Sequence, residues 1–112
     1  MRLLLLLLLL SSPVYAYTHY EREYINSWCS ANNGIAEYRL DDRCRIDCLT
    51  KEYAIEFEFP YKWKESIGQS LYYAYKTNRK PAIILIKPDK STLDKLRAIA
   101  EPIGIKVWTI GF

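Results

Sequence analysis

Apolar and polar positions alternate with two different periods along this chain, and the change of period separates helices from strands. Tyr20, Tyr24 and Trp28 recur at helical spacing, whereas residues 35–59 fall into short runs rich in β-forming residues. Turn and cap signals then bound each segment. The pattern predicts helix 18–32, strands 35–40, 44–49 and 53–59, helix 62–78, strand 82–86, helix 91–102 and strand 105–110.

This order of elements predicts an α/β fold with a mixed sheet. The first three strands are joined by short turns and should form a meander, while the connection through helix 62–78 is long enough for parallel pairing. The run 82–86 is apolar throughout, as expected of a strand covered on both faces. We therefore expect one domain, with an αβββαβ core, a C-terminal αβ unit and helices against both faces of the sheet. The stripe predicted on helix 62–78 contains Trp63, Ile67, Leu71, Ala74 and Tyr75.

The first 16 residues have the plan of a secretory signal peptide. Arg2 precedes eight leucines, and Val14 and Ala16 form a small-residue cleavage pattern. The apolar stretch is shorter than the roughly 20 residues that span a bilayer. We therefore predict export to the periplasm or the medium, cleavage near Ala16 and a mature domain over residues 17–112 without a stable membrane anchor. An uncleaved membrane anchor is the alternative interpretation.

Three cysteines bear on the fold, because an exported protein meets oxidising conditions that favour a disulfide. Cys44 and Cys48 lie four residues apart on one predicted strand, which separates their Cα atoms by roughly 13 Å, too far for a bond. The disulfide should therefore join Cys29 to Cys44 or to Cys48. A zinc site is not expected, since His19 is the only histidine and no CxxC pair is present.

Carboxylates are concentrated on two predicted strands. Glu56 and Glu58 share one face of strand 53–59, because side chains alternate along a strand, and a hairpin would bring Asp47 to the same face. Three carboxylates on half-buried strands repel one another and are costly to desolvate. The cluster therefore predicts a site for a divalent cation. Alternatively, these acids form an exposed face that pairs with neighbouring cations: Arg45, Lys62 and Lys64.

These residues resemble the PD-(D/E)xK nuclease superfamily, which includes restriction endonucleases, Holliday-junction resolvases and RecB-like exonucleases. Asp47 matches the metal-binding aspartate and Glu56 the first acid of the Glu-x-Lys element, while Gln69 and Tyr73 spell the QxxxY helix motif of RecB-like nucleases. The resemblance covers roughly residues 37–110. It implies a restriction endonuclease-like fold and hydrolysis of phosphodiester bonds with Mg²⁺ or Mn²⁺, with DNA favoured over RNA as the substrate.

The resemblance also implies roles for the other candidate residues. Glu58 stands where the family has a catalytic lysine, and Lys62 or Lys64 would supply that charge from the start of the following helix. Glu37 would be a third metal ligand beside the two acids, with the Phe57 carbonyl as a further one. Glu58 or a relocated lysine would orient the attacking water, and Gln69 would orient the water or hold the substrate backbone. The implied substrate-binding residues are Arg45, Lys62, Lys64, Gln69 and Tyr73.

Two other classes of function are compatible with the sequence. The first is an exported module that keeps the nuclease-like fold, binds nucleic acid or a protein partner, and no longer cuts. Glu58 in place of lysine favours it. The second is a small secreted structural or interaction protein unrelated to nucleases. The formal net charge of +3 is too small to decide among them. A nuclease that cuts both strands would be compatible with a homodimer.

Overall fold

A five-stranded mixed sheet forms the centre of the computed structural model, which describes residues 20–111. The strands lie side by side in chain order. The first three pair antiparallel, and the third, fourth and fifth pair parallel. The strands are β1 (Ile35–Arg39), β2 (Arg45–Leu49), β3 (Tyr53–Glu58), β4 (Lys80–Ile86) and β5 (Lys106–Ile110).

Three helices complete the predicted order of elements. They are α1 (residues 20–31), α2 (Trp63–Thr77) and α3 (Lys90–Ala100), with a short 3₁₀ turn before α2 and another after α3. The predicted α/β class and mixed sheet are confirmed. The predicted signal peptide and the predicted start of the first helix at residue 18 lie outside the described residues. Within residues 20–111, no helix is long and apolar enough to cross a membrane.

The sheet carries a hydrophobic core on each face. On one face, Ile25 and Cys29 of α1 pack near Phe57 and Ile84. On the other face, the apolar side of α3 meets residues such as Ile83. Alternate residues of β4 enter opposite cores, which is the reason that this strand is apolar along most of its length. The expectation of helices on both faces is therefore confirmed.

The buried face of α2 differs from the predicted apolar stripe. Leu71 is 38% exposed and Tyr75 is 82% exposed, so the stripe was wrong at both positions. The residues that α2 buries are Ser66, Ser70, Tyr73 and Ala74. Each serine hydroxyl donates to a backbone carbonyl three residues earlier in the helix, so the polar groups are satisfied without a partner on the sheet.

A disulfide joins Cys29 of α1 to Cys48 of β2, while Cys44 is an exposed free thiol. One of the two predicted pairings is therefore confirmed. The bond lies directly against Gly34, where an added Cβ would come within 2.6 Å of both sulfur atoms. Close approach thus requires a glycine at this position. The left-handed residue that ends α1 is Asn33, with φ 56°.

Removing the disulfide is expected to lower the free energy of unfolding by about 3 kcal/mol. The bonded residues are 19 positions apart, and the chain-entropy relation gives about this value for a loop of that length. Chemical denaturation of Cys29→Ser/Cys48→Ser measures the effect. Cys44→Ser is the matched control and should stay within about 0.5 kcal/mol of the wild type. Equal denaturation midpoints for the wild type and the double variant would contradict the prediction.

Candidate active site

The antiparallel pairing of β2 with β3 stops part of the way along β3. The ladder ends at the pair Cys48–Ile55, and beyond it the backbone N–H of Phe57 donates to Asp47 Oδ2 at 2.9 Å. A carboxylate therefore occupies the position of a strand partner. Because a strand residue directs its N–H and C=O to the same side, the Phe57 carbonyl also faces this gap between β2 and β3.

Asp47 and Glu56 form a hydrogen-bonded carboxyl pair at the gap. Burial raises the pKa of Asp47 to about 6, although the N–H of Phe57 acts in the opposite direction. Burial and the negative charge of Asp47 raise the pKa of Glu56 well above its usual value. Glu56 is only 7% exposed, and its Oε2 has no hydrogen-bond partner among the described residues. Ionising both acids together is therefore unfavourable, and one buried carboxyl oxygen is left without a partner among the described residues.

Glu58 extends the acidic cluster at the end of β3. Its side chain is largely buried, and its Oε1 accepts a hydrogen bond from the backbone N–H of Phe59 at 3.1 Å. Burial raises its pKa to about 7. A carboxyl group with this pKa exists in both protonation states near neutral pH. It can therefore accept or release a proton there.

Glu21, near the start of α1, reaches the same cluster and was not predicted from the sequence. Burial and the charge of Asp47 both raise its pKa. The overlooked signal is its spacing, because Glu21 lies four residues before Ile25 and eight before Cys29, which are both buried. Glu21 thus lies on the face of α1 that packs on the sheet.

Glu37 has an unusual backbone conformation opposite Asp47. Its φ is 54°, whereas the pairs on either side of it keep the regular antiparallel register. The left-handed region is rare for glutamate within a strand, and such strain is concentrated at functional sites. The Glu37 carboxylate lies 3.8 Å from Arg45 Nη1 and 3.9 Å from Arg22 Nε. Glu37 therefore contributes negative charge near Asp47 while it pairs with two arginines.

The predicted cations differ in their relation to the acids. The charge of Lys62 lowers the pKa of both Glu21 and Glu58, and that of Arg45 lowers the pKa of Asp47. Lys64 instead places its Nζ 5.7 Å from the centroid of the Trp63 ring. Lys62 is thus the better placed of the two lysines proposed to replace the family lysine.

The two residues of the QxxxY pattern lie in different environments. Tyr73 is 7% exposed and packs with Ile46 and Ala54 in the core beneath α2. Burial and the negative charge of Glu56 raise its pKa to about 12, so the phenol stays protonated beside the carboxyl pair. Gln69 lies one turn earlier and is exposed. Tyr73 therefore borders the site, while Gln69 is available to solvent or to a bound molecule.

The donor set fits Mg²⁺ or Mn²⁺ through the carboxyl pair. Within residues 20–111, no three side chains of His, Cys, Asp or Glu are grouped so that they could hold a metal ion. Mg²⁺ is commonly bound by one or two carboxylates, with water and substrate phosphate as its other ligands. Asp47, the unpartnered oxygen of Glu56 and the Phe57 carbonyl supply hard oxygen donors at one gap.

Comparisons with known proteins give no match, since no family model, no curated protein and no solved structure matches this chain. The function must therefore be inferred from the chemistry of the site. At the gap between β2 and β3, half-buried Asp47 pairs with buried Glu56. Glu58, whose pKa is about 7, and two cations lie near this pair. This combination can hold a divalent cation and stabilise the charge of a bound phosphate.

Proposed function

We propose that this protein is a metal-dependent nuclease that hydrolyses phosphodiester bonds in nucleic acid. The observation that carries the proposal is the Asp47–Glu56 pair, in which a buried carboxyl oxygen has no partner among the described residues. Burying two acids together is costly unless a cation compensates them. The order of these acids on β2 and β3 supports membership of the PD-(D/E)xK superfamily as part of the proposal.

Asp47 and Glu56 hold the cation in this proposal, and the Phe57 carbonyl faces the same gap. When bound, Mg²⁺ or Mn²⁺ polarises the phosphate and lowers the pKa of a bound water. Glu58 accepts the proton of the attacking water, because its pKa of about 7 suits a general base near neutral pH. A carboxylate can thus act at the position where the family has lysine.

Cationic side chains complete the proposed mechanism. Lys62 supplies positive charge beside Glu58 and stabilises the charge that develops on the phosphate. Arg45 lies near Asp47 and binds the substrate backbone, while exposed Gln69 offers a further polar contact. The proposal keeps DNA as the favoured substrate and export to the periplasm or the medium as the location. A homodimer would be needed only for a cut in both strands.

A cleavage assay tests the proposal. Purified residues 17–112, which include every described strand and helix, are incubated with single- and double-stranded DNA and with RNA in Mn²⁺, Mg²⁺ or EDTA. We expect cleavage that requires the metal. Lys62→Ala should reduce the rate by about 100-fold, whereas the matched control Lys64→Ala should stay within about twofold. A folded protein that cuts none of the substrates in either metal, or that cuts equally in EDTA, would refute the proposal.

A nuclease-fold module without catalysis is the second candidate function. The observation that favours it is Glu58 at the position of the family lysine. Such a module would bind nucleic acid or a protein partner through the same cationic residues. In the assay above it would remain inert in every metal, while a metal-dependent rise in thermal stability would show that the carboxyl pair still binds the cation.

A further inference from the structure

A cavity of about 430 Å³ is lined in part by Phe59, which follows Glu58 in the chain. It lies between the first turns of α1, the segment that leads from β3 into α2, and the end of β4. We call it the aromatic pocket, and its defining side chains are Tyr20, Tyr24, Phe59, Tyr61 and Lys87. Its volume falls in the range of small-molecule binding sites. Four aromatic rings and one cation in a single pocket suit a planar ligand that carries negative charge.

The aromatic pocket and the acidic cluster share chain segments. Phe59 follows Glu58 directly and donates its backbone N–H to the Glu58 carboxylate at 3.1 Å. Tyr20 precedes Glu21, which contributes to the cluster. Lys62 Nζ lies 5.8 Å from the centroid of the Tyr61 ring, so the cation beside the acids also borders the pocket. A phosphate at the carboxylates would therefore lie next to this pocket.

The rings present flat surfaces suited to stacking. Phe59 and Tyr61 lie nearly parallel, with an interplanar angle of 18° and a centroid separation of 6.3 Å. The Tyr61 side chain is 71% exposed and Tyr20 is 54% exposed, so parts of both rings are accessible. Stacking of a base on aromatic side chains is tolerant of sequence, because every base has a π face.

Lys87 is held at the wall of the aromatic pocket by an uncommon backbone conformation. Its φ is 47°, and its Nζ lies 5.8 Å from the centroid of the Tyr20 ring. The neighbouring Gly111 has φ 88°, and an added Cβ there would come within 2.9 Å of both Lys87 Cγ and the Tyr24 hydroxyl. Backbone strain of this kind is concentrated at ligand sites. The wall therefore combines a cation with the rings at a fixed position.

We propose that the aromatic pocket binds an unpaired nucleobase next to the phosphate at the carboxylates, so that the substrate is single-stranded nucleic acid. The inference rests on the proposed function for the position of that phosphate. A base within a duplex is stacked between its neighbours and cannot offer its face to a protein ring unless it is extruded. An unpaired base meets no such barrier, and Lys87 attracts the phosphate that flanks it.

Binding in EDTA tests the aromatic pocket without cleavage. Fluorescence anisotropy measures the affinity of residues 17–112 for a single-stranded DNA oligonucleotide, for an abasic oligonucleotide of equal length and for a duplex. We expect the base-containing single strand to bind about tenfold more tightly than the abasic strand. Tyr61→Ala should remove most of that difference and leave abasic binding unchanged. The control Tyr75→Ala alters another exposed tyrosine, on α2, and should preserve it. Equal binding of the two strands, or no binding to either, would overturn the inference.

Lys87→Asn provides a second variant that the backbone can accept. Asparagine tolerates a positive φ better than most residues, so the fold should be kept while the cation is removed. The slope of log affinity against log salt should become shallower by about one for the single strand. An unchanged slope would remove Lys87 from the binding site.

The outcomes separate this inference from the proposed function. If no metal supports cleavage but base-containing strands still bind better than abasic ones, the aromatic pocket binds bases and the nuclease proposal fails. If metal-dependent cleavage occurs and both strands bind equally, the nuclease proposal stands and the aromatic pocket has no role in base binding.

Discussion

Glu56→Gln is expected to abolish metal-dependent cleavage and to make the protein more stable in EDTA at pH 7.5. Glutamine keeps the size of the side chain but removes the negative charge that the cation needs. Loss of this ligand should reduce the cleavage rate by at least about 100-fold. The free energy of unfolding should rise by about 1 to 3 kcal/mol, because the fold no longer has to ionise a second acid beside Asp47 or keep it protonated, and the amide can donate to Asp47.

Two measurements on the same preparation check these opposite effects. The rate of oligonucleotide cleavage in Mn²⁺ gives the first, and urea denaturation in EDTA at pH 7.5 gives the second. Glu52→Gln is the matched control, since this exposed acid pairs with Lys80 at 3.1 Å. The control should keep full activity and change stability by less than about 1 kcal/mol. If Glu56→Gln cleaves at the wild-type rate, Glu56 is not part of the metal site. If its free energy of unfolding falls, the Glu56 carboxyl group does not destabilise the fold.

The opposite signs distinguish a functional site from an ordinary ion pair. A structural carboxylate stabilises the fold through its partner, so its removal destabilises the protein. Glu56 has a buried oxygen without a partner among residues 20–111, and in the proposed function a cation would supply the compensation that the protein groups do not. The proposed activity would then depend on an arrangement that is unfavourable in the metal-free fold.

The local patterns of the sequence were sufficient to predict the elements and the class of the fold. Alternation along residues 53–59 matched β3, and the uninterrupted apolar run before Lys87 matched the doubly covered β4. The proximity of Asp47 to Glu56 could also be predicted, because a short turn joins β2 to β3 and makes them a hairpin. These features depend on the period of the side chains and on chain length, and both can be counted in the sequence.

Features that depend on packing between distant segments could not be predicted in the same way. Glu21 and Asp47 are separated in the chain by the rest of α1 and by β1, and only the packing of α1 on the sheet brings them together. The buried face of α2 was missed because Ser66 and Ser70 satisfy their hydroxyls within the helix. The choice of Cys48 over Cys44 likewise depends on tertiary packing, because Cys48 lies in the same core as Cys29 whereas Cys44 is exposed.

The metal-free protein is expected to lose stability as the pH rises from about 4 to about 7. The pKa of Asp47 is raised from 3.8 to about 6, and that of Glu58 is raised from 4.5 to about 7. In this window the folded state binds more protons than the unfolded state, so the free energy of unfolding falls with increasing pH. The pKa shift of Asp47 alone corresponds to a decrease of about 3 kcal/mol in the free energy of unfolding.

Two exposed acids have the opposite effect at lower pH. Hydrogen bonds from Tyr72 and from Thr92 lower the pKa values of Asp42 and Asp89, respectively. These groups contribute stability above the pKa of an unfolded carboxyl group and lose it as the pH falls through their lowered values. We therefore expect a stability maximum near pH 4 to 5 in EDTA.

Urea denaturation at pH 4.5, 6.0 and 7.5, in EDTA and in Mn²⁺, measures this profile. Mn²⁺ should add about 2.7 kcal/mol at pH 7.5 when its concentration is 100 times its dissociation constant, and far less at pH 4.5, where protons compete for the same oxygens. Asp47→Asn/Glu56→Gln should flatten the decline and abolish the response to Mn²⁺. If the wild type instead gains stability steadily up to pH 7.5 in EDTA, the carboxyl pair is not buried as described. If Mn²⁺ stabilises the double variant equally, the cation binds elsewhere.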